Sequence, residues 1–415
     1  SKKPRVKDCP DDVVRRILQA RGAWGLPKVA GVVSFPILRP DGSLLDRGGY
    51  DEQTQLLFLD DKLDRPTPVP LDAKGLQDAL ERIWAPFAEF PFVDDLSRGV
   101  FLSALLTTVC RAGLPTAPGF LIRAHAAGTG KSLLSECLMV LVGARPSAMP
   151  LPQNNEEEIE KRLFAKLLTA APGLVLDNLV GVLDNAAMCA FLTSAEPEGR
   201  ILGKSETPTI VNRTLFVLNG NNVTAGGDTF RRLLPVSLDA CTETPEIRKF
   251  TFNPRELIKQ RLDSYRADLL SVLLTYQAAG APEAGKGALG SFEDWERLVR
   301  QAVCWLINEQ CTPASMADPV NAVKLSRGED PVRQERFNAL SAWFDHFGDS
   351  PVLVAELSSL MNPDKQVGSL EDRLGAAQQN LREVLGGLTF AQRGSYSSNG
   401  MAGWLRMTAG QVIGG

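Results

Sequence analysis

One stretch limits what this chain can fold into more than any other: Leu121 to Leu134, which reads LIRAHAAGTGKSLL. An apolar run, Pro118 to Ile122, leads into a small-residue turn, then Gly128-Thr129-Gly130-Lys131-Ser132, then an apolar helix. Strand, loop and helix in that order are the grammar of a phosphate-binding loop. Glycines let successive backbone N–H groups converge on phosphate oxygens. The lysine reaches the β- and γ-phosphates, and the serine hydroxyl takes a place on Mg²⁺. The predicted cradle is Ala127, Gly128, Thr129, Gly130, Lys131, Ser132 and Leu133, with ATP and Mg²⁺ as its ligands. Where the motif G-x-x-x-x-G-K-[ST] opens on glycine this chain has His125, so the loop enters its turn without a residue free to take positive φ there. The plainer reading is a helix-capping turn that spells GTGKS by chance; the flanking strand and helix count against it.

A phosphate loop calls for a second strand that ends in a carboxylate. Leu174-Val175-Leu176-Asp177-Asn178 is a short apolar run ending in acid, the pattern of a buried parallel strand delivering its carboxylate to the ligand edge. Asp177 is therefore predicted to support Mg²⁺ alongside Ser132; a solvated turn aspartate is the alternative. Asn178 stands where a glutamate would polarise the attacking water, and losing a positioned base costs on the order of 10²–10⁴ in rate. Three readings follow: another carboxylate serves, hydrolysis is slow, or nucleotide is bound without turnover. Glu158 and Lys161, a helical turn apart on Glu156 to Thr169, are the substitutes in reach. Glu158 equally suits the N3 position of a helix capped by Asn155.

Thr214 to Leu218 reads as the next buried strand and ends in Asn219-Gly220-Asn221-Asn222. An amide at such an end, Asn221, is placed to orient the lytic water or touch the γ-phosphate. Arg231-Arg232 follow in GGDTFRR, ahead of the strand Leu234 to Leu238. An arginine there suits a finger reaching a neighbouring subunit's nucleotide, which can supply 10³–10⁵ in rate. Ordinary surface ion pairing is the alternative for either residue. Between the strands, Arg200 to Val211 reads as a hairpin bending near Gly203 and Pro208.

Composition narrows the class. With 415 residues the chain has room for two or three domains, and 44% hydrophobic and 23% charged residues are ordinary for a globular protein. No apolar run approaches a membrane span, and the basic start is followed by no signal-peptide core. Seven dispersed cysteines without a C-x-x-C pair read as reduced thiols of a cytosolic protein. Two histidines, His125 and His346, exclude a histidine-based zinc site. A net charge of −4 argues against a surface that attracts nucleic acid everywhere, yet leaves room for a few lysines multiplied around a symmetric channel.

The motif set GTGKS, LDN, GNN and GGDTFRR, in this order, resembles AAA+ ATPases, and among them the replicative helicases of bacteriophages and mobile elements, often joined to a primase–polymerase domain. The resemblance runs roughly over residues 30–310. It implies a three-layer α/β core with Lys131 and Ser132 on phosphate and Mg²⁺, Asp177 supporting Mg²⁺, Asn221 as first sensor, and Arg231 or Arg232 as the finger. In that family asparagine after the acid is usual, which weakens the inactive reading of Asn178. His125 departs from its loop pattern. The resemblance further implies a homo-oligomeric ring, of six subunits, working on single-stranded or forked DNA in the bacterial host cytoplasm. A pore hairpin would occupy Arg200 to Ile210, with Lys204 as its phosphate contact, or as part of a subunit-packing hairpin. A chain beginning at Ser1 rather than Met fits a fragment from which a primase domain was removed.

Flanking regions complete the expected architecture. Residues 1–70 form a small β-rich lead-in with one amphipathic helix, and residues 71–245 the nucleotide-binding core with two preceding helices. Residues 246–330 form a helical lid in which Arg261 or Arg266 is a candidate second sensor. Residues 331–415 resemble a winged helix, with strands Leu388 to Gln392 and Gly403 to Met407 around a tip carrying Arg393 and Tyr396. That tip suits a DNA groove; protein docking is the other use of the fold.

Overall fold

The computed structural model describes residues 8–20, 27–59, 65–151, 156–199, 207–242, 244–247, 250–353, 356–357, 375–388 and 398–408. An amphipathic helix α1 (Asp11–Gln19) opens the described chain with every residue exposed. Five short strands follow: β1 (Gly31–Val33), β2 (Ile37–Leu38), β3 (Leu44–Leu45), β4 (Gly49–Asp51) and β5 (Leu56–Phe58). They make a three-stranded sheet in the order β1-β5-β4 and a β2–β3 hairpin around their own cluster of Val33, Phe35, Ile37, Leu45, Leu56 and Phe58. Then come α2 (Ala73–Trp84) and α3 (Asp95–Thr107), each started by an aspartate whose side chain accepts from a backbone N–H of the first turn, Asp72 from Gly75 and Asp94 from Ser97. α3 is buried from Gly99 to Thr107 and serves as a central post.

The core alternates strands and helices: β6 (Gly119–Ala124), α4 (Lys131–Val142), β7 (Ala148–Pro150), α5 (Glu156–Leu167), β8 (Gly173–Leu183), α6 (Ala186–Thr193), β9 (Leu215–Ala225) and β10 (Leu233–Leu238). All five strands are parallel, in the order β10-β6-β9-β8-β7. Such a sheet must be covered on both faces, and side-chain alternation divides it cleanly. Phe120, Ile122, Val175, Val217 and Val236 join α2, α3, α4 and the later helices in one large cluster. Leu121, Leu174, Leu176, Phe216 and Leu218 pack with α5 and α6 on the other face.

After β10 the chain forms α7 (Pro254–Gln260) and α8 (Leu262–Ala278), the latter lying against α2 and α4. A continuous helical stretch over 293–308 follows, with a π turn at Glu296–Arg300. Arg300, fully buried, ties this stretch to Asp318 (2.9 and 2.7 Å) and pairs with Glu296 one turn back within it (2.6 Å). The Trp295 indole N–H donates to Thr107 of α3 at 2.8 Å. Helix Asn321–Glu329 then returns to the sheet, against β9, β10 and α3.

Several expectations are corrected. β8 and β9 do not stop at Asp177 and Leu218 but continue paired to Leu183 and Ala225. Gly403 to Met407 is not a strand: it lies inside the helix Ser398–Thr408, because Met401, Trp404, Leu405 and Thr408 repeat at three and four residues and put Met401 and Trp404 into a cluster with Ala339, Leu381 and Leu385. Among the described residues no strand follows β10, so a winged-helix hairpin is absent from them. Arg393 and Tyr396 lie outside the described residues, as do Lys204, Asn155 and residues 389–392. Of the hairpin predicted over Arg200 to Val211, residues 200–206 lie outside the described residues; beside them Gly199 donates to Pro208 O and Ile210 to Pro197 O.

Gly99 is where α3 and the segment before the last sheet-facing helix touch: a Cβ there would stand 2.0 Å from Ala317 O. Gly99→Ala is expected to cost about 1–3 kcal/mol in urea unfolding, through forced separation of the two segments. A midpoint equal to that of the unaltered chain would contradict this close approach.

Candidate functional site

The site is assembled at the C-terminal ends of three adjacent strands. β6 delivers the loop 125–130, and Gly130, at φ 100°, caps α4 so that Lys131 is its first residue. Gly128 also has positive φ, 78°. A Cβ on Gly130 would come within 2.9 Å of the Phe90 ring, so the glycine is required by space as well as by conformation. The α4 N-terminus with its unpaired N–H groups is an anion receptor.

Lys131 folds over its own loop, donating to Ala126 O (3.0 Å) and toward Thr129 Oγ1 (3.3 Å). Burial pushes its ammonium below the usual lysine range, and the carboxylate of Asp177 pulls it partly back. Lysine and acid therefore feel each other across the site. Asp177 faces the α4 side, since Val175 two residues earlier does so.

Between β6 and β8 runs β9, which puts its polar end between loop and acid. Leu176 pairs with Leu218 and Leu179 with Gly220, so Asp177 and Asn178 form a bulge against the single residue Asn219. Asn178 takes φ 61° at that bulge and is exposed, which aims the strand past the loop. Asn219 is buried and accepts a hydrogen bond from Ser135 Oγ of α4 at 2.6 Å. Asn221, two residues on and on the same face, has a buried Oδ1 without a hydrogen-bond partner. Asn222, at φ 48°, holds the other side of the loop: its Oδ1 accepts from His125 Nδ1 at 2.9 Å. The His125 position is thus occupied by a side chain that fastens the loop entrance to β9.

Other predicted residues fall elsewhere. Glu158 is on the surface of α5, paired with Arg162 at 2.7 Å, and Lys161 with Glu157 at 2.5 Å. Arg266 is buried, donates to Leu141 O (2.9 Å) and Val140 O (3.3 Å) and lies 3.7 Å from the centre of the Phe35 ring. Burial pushes it down to about 10, so it stays charged and caps the C-terminus of α4 instead of facing nucleotide. Arg261 is exposed.

Arg231 and Arg232 both engage Asp228. Burial raises the Asp228 carboxyl, but hydrogen bonds from Arg232 and Arg231 outweigh it and hold it below the usual range. Arg232 O accepts from Gly119 N at the start of β6. The loop leaves the other end of that strand, so pair and loop of one chain stand roughly 20 Å apart at about 3.3 Å per residue.

The donor set fits a Mg²⁺-nucleotide: convergent backbone N–H groups, one cation, one carboxylate and an unpaired amide oxygen. Among the described residues no group of three His, Cys, Asp or Glu could hold a metal alone. Ser132 and Asp177 would share Mg²⁺ with phosphate and water oxygens, the usual coordination of this ion.

No family model matches the chain, and no curated protein does. Among solved structures it is similar to the A form apo structure of the NrS-1 C-terminal region, residues 305–718 (13% identity, TM-score 0.39, 98% of this chain and 87% of that one). It is also similar to SCCmec type IV Cch, described as an active helicase (11%, 0.34, 87% and 70%), and to JCV helicase (11%, 0.25, 61% and 72%). Likeness at these scores assigns neither residues nor activity to this chain.

Sequence reading missed Ser135 and Asn219, which join α4 to the strand opposite the Asp177 bulge. Ser135→Ala should leave the buried Asn219 Oδ1 without its donor and cost about 1–3 kcal/mol. Thermal unfolding of the two proteins checks this; equal stability would mean that the amide finds another donor.

Proposed function

We propose that this protein is an ATP-driven helicase or translocase that works on DNA as a ring, of six subunits. One observation carries the reading: the strand order puts phosphate loop, Asp177 and Asn221 at one end of the sheet, and the arginine pair at the other. An arginine that cannot reach its own nucleotide is suited to a neighbour's.

In this reading the loop N–H groups and Lys131 bind and orient the triphosphate. Mg²⁺, when bound, neutralises charge on the β- and γ-phosphate oxygens. Ser132 and Asp177 would hold that ion. Asn221, with its amide oxygen unpaired, orients the attacking water, and Asn219 keeps β9 fixed to α4 while it does so. Arg231 or Arg232 of the adjacent subunit, released from Asp228, meets the charge that develops on the transferred phosphoryl group. Hairpin residues 200–210, Lys204 among them, would contact the DNA backbone, and a primase–polymerase domain or protein would be a partner.

A second reading is favoured by the surroundings of Asp177. Asn178 is no base, and Glu158 is committed to Arg162. A nucleotide-switched DNA-binding or loader protein, slow in hydrolysis and unable to unwind, would have this environment.

ATPase rate should rise with single-stranded DNA and fall by at least about 10²-fold in Lys131→Ala. A forked duplex should be separated in an ATP-dependent way. ATP hydrolysis that leaves the fork intact would favour the loader reading, and turnover indifferent to DNA and to protein concentration would remove the ring motor.

A further inference from the structure

Buried and half-buried arginines line the seam between the N-terminal sheet and the core. Arg111, 2% exposed, has its donors on the carbonyls of Thr214 (2.9 Å), Leu114 (2.7 Å) and Asn212 (3.2 Å). Arg266 donates to carbonyls of α4 and has the Asp263 carboxylate 3.9 Å away. Arg213, immediately before β9, is different. Its Nε and Nη1 are both buried and neither finds an acceptor.

This side chain lines a cavity of about 80 Å³ walled by β1, Leu56, Thr108 and the turn 170–172. No carboxylate closes it. Glu196 acts on Arg213 from a distance, but is half exposed and accepts from Lys28 at 2.9 Å. The sole buried carboxylate among the described residues, Asp330, sits beside Gly227, outside this cavity's lining. Arg111 adds a second positive charge nearby: burial pushes it down to about 9, with repulsion from Arg213 contributing.

Guanidinium N–H groups buried without acceptors are costly, because water is lost and nothing replaces it. The cavity is several times the roughly 10–15 Å³ that admits one water-sized group. We propose that it binds a small inorganic anion, chloride or phosphate, held by the guanidinium of Arg213, whose buried Nε and Nη1 lack acceptors, and fixing the N-terminal sheet to the base of β9. Arginine donors are well matched to such ligands. The site lies at the opposite end of β9 from the phosphate loop and stands independently of the nucleotide reading.

Thermal unfolding of the full chain tests it, in sodium gluconate to which chloride or phosphate is added at constant ionic strength. The unaltered protein should gain a saturable rise of about 2 °C or more. Arg213→Met should show none, and in gluconate alone should melt no lower than the unaltered chain, since it removes N–H groups buried without acceptors. Arg213→Gln, uncharged but still a donor, provides the same comparison if the methionine variant does not fold. A flat titration means the cavity holds water only and overturns the proposal. So does a rise retained in either variant, which would place the anion elsewhere, or an Arg213→Met protein that melts well below the unaltered chain in gluconate.

Discussion

A parallel sheet buried on both faces leaves its strand ends as the places where polar groups can meet solvent and ligand, and everything chemical in this protein follows from that confinement. With β9 inserted between β6 and β8, the end of the loop strand and the end of the acid strand are held two strand spacings apart, with a row of asparagines between them. Across that gap α4 is fastened through Ser135 and Asn219, while the Asn221 amide oxygen is left without a partner. The bulge at Asp177 and Asn178 then lets β8 pass the site without blocking it.

Support for this end comes from charge buried far from it. Arg266 reaches the last carbonyls of α4, so the helix that presents Lys131 at one end is capped by a guanidinium at the other. Arg300, with Glu296 and Asp318, locks the helices behind α3. Trp295 joins the same post through Thr107. These buried ionic and polar contacts position the layers; the apolar clusters on the two sheet faces supply the burial that drives folding.

Much of the core was legible because its signals are local. GTGKS needs only a strand before it and a helix after it, and LVLD is an apolar run closed by an acid. The asparagines were harder. Asn219, Asn221 and Asn222 sit within four residues, and only the parity of β9 separates them: the first two share a face with Val217, while Asn222 turns out at φ 48° to hold His125. Arg266 reads as a helix-surface residue until α8 is known to lie across the end of α4. At the C-terminus, a winged-helix hairpin called for a strand over Gly403 to Met407, and the spacing of Met401, Trp404 and Thr408 decided for helix. Long-range burial, which composition does not encode, separates these cases from the phosphate loop.

The central claim is that a nucleotide site is completed by a second copy of the chain. Mixing two variants measures this directly: Lys131→Ala, which loses the loop cation, and a protein carrying both Arg231→Ala and Arg232→Ala. Each alone should be nearly inactive as an ATPase. Together they should regain activity at an intermediate ratio, because some interfaces pair an intact loop with an intact arginine. Arginine-deficient protein that hydrolyses ATP at the full rate, or mixtures that assemble yet stay inactive at every ratio, would contradict a site shared between neighbours.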